Sequence, residues 1–384
     1  MKLNVFLNVR DHRQLVGLLY EENSRIFFEY APDFLKSGME LSPFKLPLRS
    51  GVFEDVKRTF DGLFGLFNDS LPDGWGCLLL DRKLRKQGLQ YDAITPLHRL
   101  SLIGRNPMGA LEYEPADELT DTLGNIELDS LSGEVQNILE GKESDVLDEL
   151  LKLNGSSGGA RPKITAYVSH DRTRIVHGGA VCPDGFTPWM IKFTEKQDGR
   201  DFGELEYRYS LAAKRAGIIM PETHLFPSQN GKGFFGVERF DRTPAGKVHV
   251  HSACGLLHAS HRYSCLDYEN LLKLTTVLCK DRSQVKQMVL RMIFNVKSGN
   301  RDDHSKNFSF LLDEKNRWQL APAYDLTPSA GINGEQTAMV NGKGRDITDA
   351  DLVTAAQSAD ISVREVRPML DAVNTAIADF KILK

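Results

Sequence analysis

"GNRDDHSKNFSFLLDEKNRWQLAPAYD", residues 299–325, sets Asp302, Asp303, His304, Lys306 and Asn307 between stretches with strand-like pattern and ends on Asp325. Asp302 and Asn307 are separated by four residues. The segment "FSFLLDEKNRWQL" (308–320) has two apolar runs flanking a polar turn, which reads as a hairpin that returns the chain beside Asn307 just before Asp325. A carboxylate and an amide oxygen delivered to one place suit a hard cation such as Mg²⁺, which takes oxygen ligands and keeps several waters. A polar turn between a helix and a strand would have a similar composition, so the reading depends on what else the chain supplies.

The spacing follows the logic of phosphoryl transfer. One aspartate orients a hydroxyl and accepts its proton, an asparagine shortly after it binds metal, and a later aspartate holds Mg²⁺. Asp302 fits the first role, with Asp303 as its competitor; Asn307 and Asp325 fit the metal roles, and Lys306 fits a charge stabiliser beside the transferred group. His304 reads as a structural hydrogen-bonding residue rather than a metal ligand. Such chemistry needs phosphate-binding parts upstream. "LNGSSGGARPKI" (153–164) is a glycine- and serine-rich loop leading into a strand, where backbone N–H groups of Ser156, Ser157, Gly158 and Gly159 can approach phosphate oxygens, with Lys163 at its end. It is not the GxxxxGK[ST] phosphate loop and not GxGxxG. "PWMIKFT" (188–194) puts Lys192 inside an apolar strand, where a buried cation needs an anionic partner. Glu206, on the helix pattern "ELEYRYSLAAKRAGI" (204–218), is the expected ion-pair partner, with Glu204 the near alternative.

The chain changes texture along its length. Residues 1–115 alternate short strand-like segments with a helical spacing at Phe60, Leu63, Phe64 and Phe67 that breaks at Pro72 and Gly74, giving a mixed α/β subdomain. Residues 116–150 are acidic and helix-prone, a connector. Residues 151–250 are β-rich, and residues 251–384 turn mainly helical, through "YENLLKLTTVLCK", "SQVKQMVLRMIFNVKSG", "DITDADLVTAAQSA" and "SVREVRPMLDAVNTAIADFKIL". A β-rich lobe followed by a helical lobe, with polar residues at the seam, suits a nucleotide cleft.

Bulk properties exclude other classes. The 384 residues, 41% hydrophobic and 26% charged, describe a globular chain of two or three units. A formal net charge of −4 argues against a nucleic-acid binder over its whole surface, and Arg82, Lys83, Arg85 and Lys86 read as a solvated helix face. The opening MKLNVFLNVR alternates like a strand and lacks a signal-peptide run, and no stretch has the apolar length of a membrane helix, so a cytoplasmic location without membrane contact is expected. Cys77, Cys182, Cys254, Cys265 and Cys279 are scattered with no CxxC pair, which argues against a disulfide framework.

The ordered set "LFNDSLPDGWG", "SSGGARPK", "MIKF", "GVERFDR", "NRDDHSKNFSF" and "LAPAYDLTPS" resembles the HipA family of bacterial serine/threonine kinases, the toxin halves of type II toxin-antitoxin modules, over nearly the whole chain. The resemblance implies an α+β, protein-kinase-like bilobal fold with an extra N-terminal α/β subdomain and a helical C-terminal lobe, use of ATP and Mg²⁺, a protein substrate, and a helix-turn-helix antitoxin of HipB type through which DNA is mainly contacted. Matched by motif, Asp302 is the catalytic aspartate, Asn307 and Asp325 the metal ligands, Lys192 the ATP-binding lysine and Ser156 the loop serine that such kinases autophosphorylate. The adenine-contacting segment is expected after Arg239. The loop reads GGARPK where the best-known subgroup has a GAQEK-like sequence, and Ser157 adds a second hydroxyl, so the cellular target stays open, a tRNA-charging enzyme being one candidate. A small-metabolite kinase and a regulatory pseudokinase are the alternatives within this reading. Outside it, "HVHSACGLLHASH", with His249, His251, Cys254, His258 and His261, is the one candidate zinc cluster, and it contains no HExxH.

Overall fold

The structure is a computed structural model that describes residues 1–10, 12–116, 123–142, 147–154, 161–178, 181–194, 199, 201–262 and 266–382. The chain divides into two units: Met1–Glu204 with Glu222–His249, and Leu205–Pro221 with Val250–Lys384.

The first unit carries two sheets. Strands β1 (Lys2–Val9), β2 (His12–Glu22), β3 (Arg25–Tyr30), β4 (Val52–Glu54) and β5 (Leu111–Glu114) form an antiparallel sheet in the order β4-β3-β2-β1-β5. Alternation decides its inner face, because successive side chains point to opposite sides: Leu3, Val5 and Leu7 of β1 are buried while Lys2 and Asn4 are exposed. The helical spacing over Phe60–Phe67 yields only one turn of helix, Gly65–Asn68. Asp61 and Gly62 take left-handed conformations, φ 56° and 92°, which interrupt the ladder before it forms. A longer helix, Gly74–Lys86, follows Pro72.

The second sheet of this unit contains β6 (Gly124–Asn125), β7 (Lys163–Ser169), β8 (Ile175–His177), β9 (Phe186–Lys192), β10 (Thr223–Phe226) and β11 (Phe234–Glu238), ordered β10-β11-β9-β7-β8-β6. One core cluster joins it to the helices Gly74–Lys86, Leu128–Leu139 and Leu147–Asn154, through Leu79, Leu80, Val135, Ile138, Leu150, Ile164, Val168 and Ile191. Each such side chain contributes roughly 1.5–3 kcal/mol on leaving water, which fixes these helices onto the sheet. A short hairpin, β12 (Arg242–Thr243) with β13 (Gly246–Lys247), follows β11.

The second unit is built around the helix Arg282–Ser298, which is buried at Val285, Met288, Val289, Met292, Ile293 and Phe294 and is packed by the helices Tyr268–Cys279, Asp349–Gln357 and Val363–Asp379. A helix apolar on most sides belongs in a core. It ends at Gly299, whose left-handed φ of 75° lets its N–H bond to the Asn295 carbonyl and turns the chain sharply into the polar stretch that follows. The expected hairpin is present: β15 (Ser309–Leu312) pairs with β16 (Trp318–Leu320), Phe310 opposite Leu320 and Leu312 opposite Trp318. With β14 (His249–Ser252) it forms a three-stranded sheet, β14-β15-β16. Among the described residues, no helix is long and apolar enough to cross a membrane.

Candidate active site

The loop after Gly299 is held by buried polar groups. Asp303 is 1% exposed. Its Oδ2 accepts hydrogen bonds from the Tyr268 hydroxyl and Gln336 Nε2, each at 2.8 Å, and its Oδ1 accepts one from the Ala338 backbone N–H at 3.0 Å. Asp303 is therefore buried and held by three donors that fix its side chain. Asp302, one residue earlier, is exposed. Asn307 donates its Nδ2 to the Asp302 carbonyl at 2.8 Å, which leaves the amide oxygen as the atom able to ligate a cation. The Ser305 hydroxyl donates to the Ala259 carbonyl, and the Asn307 N–H to the His304 carbonyl. His304 thus serves the turn through its backbone, while its buried Nδ1 has no hydrogen-bond partner among the described residues.

The hairpin brings Asp325 back to this loop through its neighbours. Tyr324 donates to the Lys306 carbonyl at 2.6 Å and shares a hydrogen bond with Ser309 Oγ, also at 2.6 Å, while Asn300 Nδ2 reaches the Asp325 carbonyl at 3.5 Å. Asp325 has φ 56°, a left-handed conformation that costs an L-residue free energy and persists only where its surroundings impose it. The following stretch is fastened to the start of the loop: Ser329 N–H bonds the Gly299 carbonyl, and both the N–H and the hydroxyl of Thr337 bond the Arg301 carbonyl. At Gly331, φ 66°, an added Cβ would stand 2.7 Å from the Arg301 Cβ and 2.2 Å from the Glu335 carbonyl, so only glycine fits that approach. Asp302, Lys306, Asn307 and Asp325 accordingly share one small region of the second unit.

In the first unit, Lys163 and Lys192 are directly opposite each other on β7 and β9. They are 3% and 7% exposed. Opposed residues of an antiparallel pair point to one face, and like charges there repel, so this position favours negative charge from a partner or ligand. Lys192 Nζ also lies 5.7 Å from the centre of the Phe235 ring. Ser156, Ser157, Gly158 and Gly159, which precede β7, lie outside the described residues. Glu206 is 2% exposed on the helix Phe202–Arg215, in the part belonging to the second unit. Its rival Glu204 is engaged by Lys232 Nζ at 2.7 Å.

Two buried groups escaped sequence reasoning. Arg291 is 2% exposed on the central helix, donates through one nitrogen to the Ala321 carbonyl at 2.6 Å, and has two further nitrogens without hydrogen-bond partners among the described residues. Burial lowers its pKa to about 10. Asp241, after β11, accepts from Arg239 at 2.8 and 2.9 Å, from Arg242 at 2.7 Å, and from the Gly109 N–H at 2.8 Å. Its charge partners flank it in "RFDR", but Gly109 is 132 residues away and carries no pattern that would announce the contact. His249 and His251, in the histidine-rich stretch, are buried residues of β14, and among the described residues no three His, Cys, Asp or Glu side chains converge to hold a metal. A Mg²⁺ ion needs fewer protein ligands than that, since it keeps several waters and accepts one or two protein oxygens.

The chain is similar to known proteins along most of its length. The HipA N-terminal domain matches residues 7–114, and the HipA-like C-terminal domain matches residues 155–380. "Putative kinase Y4dM" of Sinorhizobium fredii is 24% identical over 355 residues, covering 87% of this chain and 80% of that protein. A "Putative kinase" of Haemophilus influenzae is 29% identical over 137 residues, 32% of this chain and 40% of its own length. Among solved structures, the Shewanella oneidensis MR-1 complex of HipA, HipB and operator DNA contains a chain that superimposes with a TM-score of 0.72 at 18% identity, covering all of this chain and 91% of that one; at such identity the likeness speaks for the fold. With its two characteristic domains matched in order and the C-terminal one alone spanning more than half of the residues, the chain belongs to the HipA family.

Proposed function

We propose that the chain is a serine/threonine protein kinase with a bilobal, protein-kinase-like fold, which transfers the γ-phosphoryl group of ATP with the help of Mg²⁺ to a hydroxyl of a cellular protein and to its own Ser156. The observation that supports this reading is the return of the chain at Tyr324 and Asp325 to the loop that bears exposed Asp302 and Asn307, with buried Asp303 fixing that loop. Residues 1–115 would form the N-terminal subdomain, 116–150 a connector, 151–250 the β-rich lobe and 251–384 the helical lobe.

In this reading Asp302 orients the acceptor hydroxyl and takes its proton, and Lys306 stabilises charge on the transferred group. Lys163 and Lys192 attract the phosphates, and Ser156, Ser157, Gly158, Gly159 and Glu206 complete the nucleotide-binding residues of this reading. The Asn307 amide oxygen and the Asp325 carboxylate fit Mg²⁺ as oxygen donors, and when bound the ion neutralises phosphate charge. The adenine lies by the segment after Arg239. The partners of the reading are a protein substrate, a tRNA-charging enzyme being one candidate, and an antitoxin of HipB type that supplies the main DNA contact; the S. oneidensis complex supports the latter by analogy.

The test is incubation of the purified chain with Mg-ATP, followed by mass spectrometry and kinetics. The wild type acquires phosphate on Ser156. Asp302→Asn slows transfer by about 10²- to 10⁴-fold with nucleotide affinity retained, and Asp325→Asn abolishes it. Transfer by Asp325→Asn at the wild-type rate refutes the metal assignment.

A further inference from the structure

A buried chain of hydrogen bonds runs beneath the loop. Asp303 accepts from the Tyr268 hydroxyl at 2.8 Å, that hydroxyl accepts from Asn295 Nδ2 at 2.9 Å, and Asn295 Oδ1 accepts from Asn300 Nδ2 at 3.0 Å. Asn300 Nδ2 then reaches the Asp325 carbonyl, and Gln336 closes a ring by donating to both Asp303 Oδ2 and the Asn300 carbonyl, at 2.8 and 3.0 Å. Tyr268, Asn295, Asn300 and Asp303 are all 2% exposed or less. The members come from two helices, the loop and the segment after Asp325. One end adjoins Asp302, and the other touches the backbone of Asp325.

We infer that Asp303, Tyr268, Asn295 and Asn300 act as positioning residues that set where Asp325 stands relative to Asn307, and so tune the affinity of the site for a divalent cation with nucleotide. This rests on the kinase reading above. A core of this size is held together by apolar burial, and replacing paired polar groups by apolar ones of the same shape is often nearly neutral for stability. A directed polar network adds something that apolar packing does not, a unique set of distances between segments. Here the segments so fixed are the two that carry the ligand oxygens. Asp325 has a left-handed backbone, and the Asn300 Nδ2 contact to its carbonyl, at 3.5 Å, reaches this position from the network. Hydrogen-bond partners behind metal ligands commonly change metal affinity by about 10–100-fold when removed.

Tyr268→Phe deletes one hydroxyl from the middle of the chain and keeps the ring. Mn²⁺ binding to the full chain, followed by electron paramagnetic resonance in the presence of a non-hydrolysable ATP analogue, should weaken about tenfold in this variant. The Mg²⁺ concentration for half-maximal transfer should rise in parallel, while the KM for ATP at saturating Mg²⁺ stays near the wild-type value. Val289→Ala, which loosens the helix Arg282–Ser298 that carries Asn295 without touching the hydrogen-bond chain, is the control and should leave Mn²⁺ affinity unchanged. Unchanged affinity in Tyr268→Phe overturns the inference, and so does equal weakening in Val289→Ala, which would reduce the effect to general loosening. If Tyr268→Phe does not fold, Gln336→Leu, which removes the second side-chain donor to Asp303, is judged by the same outcomes. A wild-type chain that neither binds Mn²⁺ with the analogue nor transfers phosphate overturns the kinase reading, a result distinct from an active wild type with an unaltered variant.

Discussion

Asp241 in the first unit and Asp303 in the second are both almost fully buried, and they are satisfied in opposite ways. Asp241 has two arginines and one backbone N–H around it. Their charges hold its carboxyl well below the usual carboxylate range, in spite of a burial that acts the other way. The hydrogen bonds to Asp303 come from a tyrosine hydroxyl, a carboxamide and a backbone N–H, all neutral, and there burial wins and pushes the carboxyl upward. Asp241 therefore works by charge and ties the segment after β11 to Pro107 and Gly109, which Arg242 reaches at 2.7 and 2.8 Å. Asp303 works by direction, since three donors converging on two oxygens define one orientation of the loop. The contrast separates a rivet from a gauge.

The largest expected effect breaks the charged side of the pair. Asp241→Asn leaves Arg239 and Arg242, 11% and 17% exposed in their side chains, without the anion that offsets their desolvation. Removing one partner of such a buried group costs about 3–5 kcal/mol, to be read as a lower urea midpoint at unchanged slope. The pH dependence has a definite sign. Because the folded-state pKa is depressed, the stabilisation is fully present above the ordinary carboxylate value of about 3.9 and is lost as pH falls through the folded value, so the gap between wild type and variant closes in acid.

Asp303→Asn should cost less, about 1–3 kcal/mol, because its amide nitrogen must face a donor whichever way the group turns. Its pH dependence runs in the opposite direction. A raised folded-state pKa means that the contribution of Asp303 is fully present below about pH 3.9 and declines as pH rises through the folded value. The margin of wild type over Asp303→Asn thus widens from pH 7 down to pH 4, whereas that over Asp241→Asn stays level and then narrows. Unfolding curves for the three proteins from about pH 7 to well below about pH 3.9 check the point. Slopes of the same sign would mean that the two carboxylates do not differ as described.

How far these features were legible in the sequence depends on how local they are. Asp302, Asn307 and the hairpin returning to Asp325 sit within 27 residues, and a turn flanked by two apolar runs announces such a return. Which of Asp302 and Asp303 is buried was not legible, because adjacent identical residues differ only in the direction each side chain takes, and that direction is set by Tyr268, Gln336 and Ala338, more than thirty residues away in either direction. Asp241 was read only as part of a motif, since its function as an anchor depends on backbone groups at Pro107 and Gly109. The helix expected through Phe60 failed for a related reason: apolar spacing carries no information about the left-handed backbone at Asp61 and Gly62. The strand β10 is four residues long, too short for alternation to stand out.

The smallest expected change in stability sharpens the comparison from a third aspartate. Asp325 is neither a rivet nor a gauge in the sense above: it is half-buried, and its backbone is already in the conformation that glycine adopts most cheaply. Asp325→Gly removes the left-handed penalty of roughly 1–2 kcal/mol and adds about 0.5–1 kcal/mol of backbone freedom to the unfolded chain. These terms oppose each other, so the urea midpoint should move little, and upward if at all. Under the proposed function, phosphoryl transfer should vanish nonetheless, because the carboxylate assigned to the cation is gone. A variant that keeps its stability and loses all activity places Asp325 in chemistry, while Asp241 and Asp303 remain architecture. A strongly destabilised Asp325→Gly would instead show that the carboxylate itself holds the fold, and would move Asp325 to the structural side of the comparison.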